Sequence, residues 1–100
     1  MGEAHLINCI FHMAQIIYTN GKTTDVYPKN GTDFSLEELQ AVVGGYIELV
    51  FLGDKILVAN EEGKLYGLPL NTKATEIIRN YGYNDTIVGN VVYCEKKQIR

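Results

Sequence analysis

Residues 35–60 read SLEELQAVVGGYIELVFLGDKILVAN, and the fold turns on how this run divides. Ser35 and Glu38 have the S-x-x-E spacing of a capping box, in which the serine hydroxyl accepts the third helical amide and the glutamate reaches back to the capping amide. Phe34 and Leu39 are spaced as a hydrophobic staple, and Gly44 or Gly45 supplies the left-handed residue that stops a helix. Leu36, Leu39, Val42 and Val43 recur at helical spacing and predict one apolar face. Beyond the glycines the pattern becomes that of strands. YIELVFL and KILVAN flank Gly53-Asp54, where glycine in the first turn position suits a type II′ hairpin. In that register Ile47, Leu49 and Phe51 share a face with Ile56 and Val58, and a slip of one residue would lose the whole set.

The flanking segments extend the same logic. AQIIYT and KTTDVYP surround Asn20-Gly21, a pair that offers the two positive φ angles of a type I′ hairpin, and Pro28 ends the second strand. Downstream, Asn71 or Thr72 is placed as the N-cap of a second helix. Ala74, Ile77, Ile78 and Tyr81 make its apolar stripe and Gly82 its stop. Asn84 and Asp85 then make a turn, and TIVGNVVYC, with Gly89 at its centre, reads as a last strand. The expected architecture is α+β, a small and mostly antiparallel sheet of about five strands with two short helices packed chiefly on one face, in the order β-β-α-β-β-α-β. Such a sheet leaves edges and a thinly covered face, so a homo-oligomer is expected.

A chain of 100 residues has the size of one domain, and 46% apolar with 21% charged residues favours a globular fold over disorder or a coiled coil. The net charge of −3 opposes a nucleic-acid partner, since phosphate binding draws on concentrated Lys and Arg. No apolar run approaches the roughly 20 residues of a membrane span, and the N-terminus has no secretory pattern. A cytoplasmic location with no membrane partner follows as the expectation. Residues 1–12 read as an extension ahead of a second methionine, Met13, with one α+β domain over 13–95 and a solvated tail over 96–100 carrying Lys96, Lys97 and Arg100. Cys9 and Cys94 read as two free thiols.

Three groups of residues invite a functional reading. The segment NEEGKLYGLPLN, residues 60–71, is either a connector or a binding loop. In the second case Asn60, Glu61, Glu62, Lys64, Tyr66 and Asn71 line a small ligand pocket beside a helix N-terminus. It lacks the glycine spacing and Lys-Ser/Thr pair of a phosphate loop. His5, Cys9 and His12, at i, i+4 and i+7, would share one helix face and could hold zinc with Cys94 or water, or else belong to a strand with Leu6, Ile7, Ile10 and Phe11. Beyond Met13 there is no histidine to act as a base, and no carboxylate pair stands out, so neither an enzyme nor a cofactor is expected. Seven tyrosines spread over nearly every element suit contact surfaces, because a large ring carries one polar tip.

Taken together, LEELQAVVGGYIELV, NEEGKLYGLPLN and DTIVGNVVYC, three blocks in order over residues 13–94, resemble DUF3846, a domain-of-unknown-function family of short proteins from bacteriophages, plasmids and other bacterial mobile elements. Residues 1–12 and the short stretch 72–84 depart from its pattern. The resemblance implies a mobile-element setting and supplies no activity. The resulting expectation is a non-enzymatic module that binds a host protein or interferes with a defence system, in the host bacterial cytoplasm. The alternatives are a protein that sequesters a small ligand or nucleotide around residues 60–71, and a metal-binding protein through His5, Cys9 and His12.

Overall fold

The structure, a computed structural model, describes residues 14–100; His5, Cys9 and His12 lie outside them. The elements run β1 (Gln15–Ile17), β2 (Thr23–Asp25), α1 (Leu36–Val43), β3 (Ile47–Leu52), β4 (Lys55–Asn60), α2 (Thr72–Asn80) and β5 (Val91–Glu95), followed by a 3₁₀ turn over Lys96–Gln98. They form one sheet in the order β2-β1-β5-β4-β3, antiparallel at every step. The expected α+β class, strand count and element order are all present.

Both local signals of the opening stretch are realised. Ser35 Oγ accepts the Glu38 amide at 3.2 Å while Glu38 Oε1 accepts the Ser35 amide at 2.8 Å, and Gly44, at φ 83°, closes α1 onto the Gln40 carbonyl. Leu39 and Val43 are buried beside Phe34, but Leu36 is 53% exposed and does not join the apolar face. Leu52 pairs with Lys55 across Gly53-Asp54, so the hairpin has the expected register. The first hairpin differs in its turn. Asn20 does not take a positive φ, Gly21 does, and Tyr18 N–H bonds Lys22 O while Gly21 N–H bonds Tyr18 O. This is the three-residue loop with a glycine bulge rather than type I′, because the extra residue lets glycine alone carry the left-handed conformation.

The helices lie on opposite faces of the sheet, a correction to the one-sided packing expected. α1 covers Ile56, Val58, Val92 and Cys94, whereas Ala74 and Ile78 of α2 cover Ile17, Val50, Leu57, Ala59 and Val91. The cause is in β4. Residues Ile56, Leu57, Val58 and Ala59 are all buried, so this central strand is apolar on both sides and needs two covers. The C-terminus departs from the solvated tail as well. Phe34 N–H donates to Gln98 O at 2.7 Å, Arg100 N–H returns to Phe34 O at 3.2 Å, and Ile99 packs on the α1-side core. Gln98 is 1% exposed and its Oε1 accepts the Glu95 amide at 3.0 Å.

Candidate functional site

β3 is one outer strand of the sheet, and the residues that follow β4 and α2 gather beside it. A cleft of about 260 Å³ opens there, lined by Glu48, Val50, Phe51, Asn60, Glu61, Lys64, Tyr83, Asp85 and Ile87 among others. Its floor is the α2-side core, where Val50, Ala59, Ile78 and Ile87 are buried. Its rim is charged. The Lys64 ammonium bonds the Asp85 carboxylate and, with the Thr86 amide at 2.7 Å, holds that carboxyl below the ordinary aspartate range. Arg79 Nε reaches the Asp85 carbonyl at 3.4 Å. The side chains of Glu48 and Glu61 make no ion pair or hydrogen bond among the described residues.

The six residues read from the sequence as one site separate into three places. Asn60, Glu61 and Lys64 line this cleft. Glu62 and Tyr66 turn to the far side of the same segment, where they border a second hollow with Gln40, Gly45 and Tyr46 and bond each other at 3.3 Å. Asn71 is fully buried. Its Oδ1 accepts the Ala74 amide at 3.0 Å as the α2 cap, and its Nδ2 donates to the Ile17 and Gly89 carbonyls at 3.0 and 2.9 Å. Asn60 is also mostly spoken for, since Nδ2 donates to the Val43 carbonyl at 3.0 Å and Oδ1 accepts the Glu62 amide at 2.8 Å.

Packing accounts for much of the 60–71 pattern. A Cβ on Gly63 would stand 2.8 Å from Val88 Cγ2 and 3.3 Å from Leu68 Cδ1, and one on Gly89 would stand 2.8 Å from Leu68 Cδ1. Leu68 is thereby lodged between two glycines, and an antiparallel bridge joins Leu70 to Val88. This also explains why the last strand begins only at Val91. Gly89, at φ 79°, breaks the extended run and sends residues 86–88 to the cleft wall.

Glu48, Tyr83 and Asp85 were not among the candidates read from the sequence. Their signal was weak, since Glu48 alternates along a strand like any solvated residue and Asn84-Asp85 marks only a turn. Exposed aromatic side chains flank the β3 edge at both ends, with Tyr46 at 64% and Tyr66 at 66% exposed near its start and Phe51 at 51% and Tyr83 at 40% near its finish. Tyr83 Oη donates to the Phe51 carbonyl at 2.8 Å. A separate apolar groove runs between α1 and the residues after β2, over Val26, Phe34, Leu39 and Val92. Among the described residues no group of three or more His, Cys, Asp or Glu is placed to hold a metal ion, and no helix is long and apolar enough to cross a membrane. Cys94 is buried in the core beneath α1, and burial pushes its thiol up to about 12, so it is not a nucleophile at neutral pH.

Comparison with protein families matches residues 13–99 to the family described as Domain of unknown function (DUF3846), and the chain belongs to it. Neither the curated proteins nor the solved structures contain a match to the chain.

Proposed function

We propose, on the premise of that membership, that the protein is a non-enzymatic interaction module whose contact surface is the β3 edge with its cleft and aromatic flanks. The observation that carries this is an outer strand left open beside a preformed hollow, with Tyr46, Tyr66, Phe51 and Tyr83 standing exposed around it. An open edge presents unpaired backbone groups, and tyrosine and phenylalanine are enriched where proteins touch. In the mobile-element setting that the family resemblance implies, the partner is a protein of the host bacterium, such as a component of a defence system, met in the cytoplasm.

Affinity capture from host-cell extract with the tagged full chain tests this reading. A defined protein should be retained by the wild type and released by the Tyr46→Ser/Phe51→Ser variant, which alters only exposed side chains. Retention of the same proteins by both, or of none by the wild type, would remove the edge as the contact surface. A second reading has its own support in Asn60, Glu61 and Lys64, which converge on one cleft and could enclose a small ligand. The volume of about 260 Å³ falls just below the roughly 300 to 1,000 Å³ of sites that enclose drug-sized molecules, which favours a side chain as occupant. Native mass spectrometry of protein from host extract separates the two, since a small ligand would add a discrete mass that denaturation removes.

A further inference from the structure

We infer that the β3 cleft receives a single extended, basic segment of the partner protein, which pairs with β3 as an added strand and lays one Lys or Arg side chain over the apolar floor toward Glu48 and Glu61. This rests on the interaction reading above and specifies the chemistry of what is bound. The backbone argument begins at the hairpin. With two residues in its turn, Leu52 and Lys55 are a mutually bonded pair, so bonding to β4 alternates through Val50 and Glu48 to Tyr46. Two observations agree with that parity: Glu61 N–H bonds Tyr46 O at 2.9 Å, and the Phe51 carbonyl faces away from β4, where it meets the Tyr83 hydroxyl. The amide and carbonyl groups of Ile47 and Leu49 therefore face outward as well. Tyr83 occupies the Phe51 end, which leaves the Ile47 and Leu49 portion as the open length of the edge.

The cleft then selects the side chain. Glu48 and Val50 point to its side of β3, over Ala59, and the floor is aliphatic. Of the charges around it, Lys64 and Arg79 both bear on Asp85, and Lys96 lies over the Phe51 ring at 5.7 Å, on the strand's other face. Among the described residues, Glu48 and Glu61 are left without a counter-charge. An apolar floor under an acidic rim suits a long aliphatic stem with a cationic head. A second copy fits less well. Two-fold pairing of β3 about Leu49 would oppose Glu48 to Val50 and place the two Glu48 carboxylates diagonally across the same face, with no cation supplied to either.

The test is selection of random dodecapeptides displayed against the immobilised full chain, followed by synthesis of the enriched peptide with a fluorescent label. Enriched sequences should carry Lys or Arg within an alternating β-branched run. Fluorescence anisotropy should show Kd weakened by about tenfold in Glu48→Lys and further in Glu48→Lys/Glu61→Lys, as expected when one partner of a close charge pair is reversed. Bound peptide should slow exchange of the Leu49 amide in the wild type, and Leu49→Pro, tolerable on an edge strand, should abolish binding. If that variant fails to fold, the wild-type exchange measurement decides. Peptides without a basic residue, an unchanged Kd in the Glu48→Lys/Glu61→Lys variant, an unprotected Leu49 amide, or no enrichment would each overturn the proposal. So would a dimer in light scattering that Glu48→Lys leaves intact and Leu49→Pro dissolves, since the edge would then belong to a second copy. Host-protein capture that depends on Tyr46 and Phe51 but not on Glu48 and Glu61 would sink this inference alone and leave the interaction reading standing.

Discussion

The carboxamide of Asn71 serves three backbone groups from three parts of the chain, the Ala74 amide that begins α2 and the carbonyls of Ile17 and Gly89. Because the residue is fully buried, water cannot replace it. Asn71→Ala removes a helix cap, worth about 1 kcal/mol, and strands two buried carbonyls at roughly 1 kcal/mol each, so the unfolding free energy from urea titration should fall by about 3 kcal/mol. Asn71→Asp separates the two jobs. Its carboxylate keeps the cap acceptor but turns an anionic oxygen toward two carbonyls, so the variant should also be destabilised at pH 7 and recover as the carboxyl takes up a proton and becomes a donor. An Asp variant as stable as the wild type at neutral pH would show that the donor side of Asn71 contributes nothing. The residue looked from the sequence like either a cap or a pocket wall, and only the chain's return past Ile17 and Gly89 assigns it to the cap.

The capping box of α1 ties that helix to the residues before it, since Glu38 accepts the amides of Ser35 at 2.8 Å and Lys29 at 2.9 Å. Those two bonds favour the ionised carboxylate, the Ser35 amide most, and hold the Glu38 pKa below its ordinary 4.5. A depressed folded-state pKa stabilises above the unfolded value and loses that stabilisation as pH falls through the folded one. Below pH 4.5 the wild type should therefore lose stability that Glu38→Gln does not lose, and thermal unfolding of both proteins between pH 5 and 2.5 would show their curves converging. Parallel curves would mean that the box bonds do not depend on charge. This element was legible because S-x-x-E, the closing glycine and the Gly53-Asp54 turn are local codes, each complete within a few residues. The side of the sheet that each helix covers was less legible. Ile56, Leu57, Val58 and Ala59 form an unbroken apolar run, the mark of a strand covered on both faces, whereas the register with β3 marks only the face that Ile56 and Val58 share with Ile47 and Leu49. The cleft was hardest to see, because Glu48 is far in sequence from Tyr83 and Asp85 and meets them only when β4 and α2 place their following loops beside the edge strand.

For the molecule as a whole, β4 and β5 are shared between two cores, and the C-terminal residues help close the one beneath α1. Gln98 and Arg100 exchange backbone hydrogen bonds with Phe34, Ile99 packs on the same core, and Arg100 Nε pairs with Asp33 at 3.0 Å. The basic character of 96–100 suggested a solvated end because composition records charge but not where the backbone goes. Deleting residues 98–100 removes, among other contacts, the two backbone hydrogen bonds to Phe34 at about 1 kcal/mol each and part of an isoleucine's burial, so stability should drop by at least roughly 3 kcal/mol. Cys94, 1% exposed in that core, reports the same change. Burial of the neutral thiol makes it unreactive in the native state, so in a Cys9→Ser background a thiol reagent at pH 8 should modify Cys94 only through opening of the fold. Labelling of the shortened chain should run at least about tenfold faster than that of the full chain, in proportion to its more frequent opening. Equal rates, with unchanged urea midpoints, would return residues 96–100 to the status of a solvated tail and leave Phe34 and Leu39 to close that core unaided.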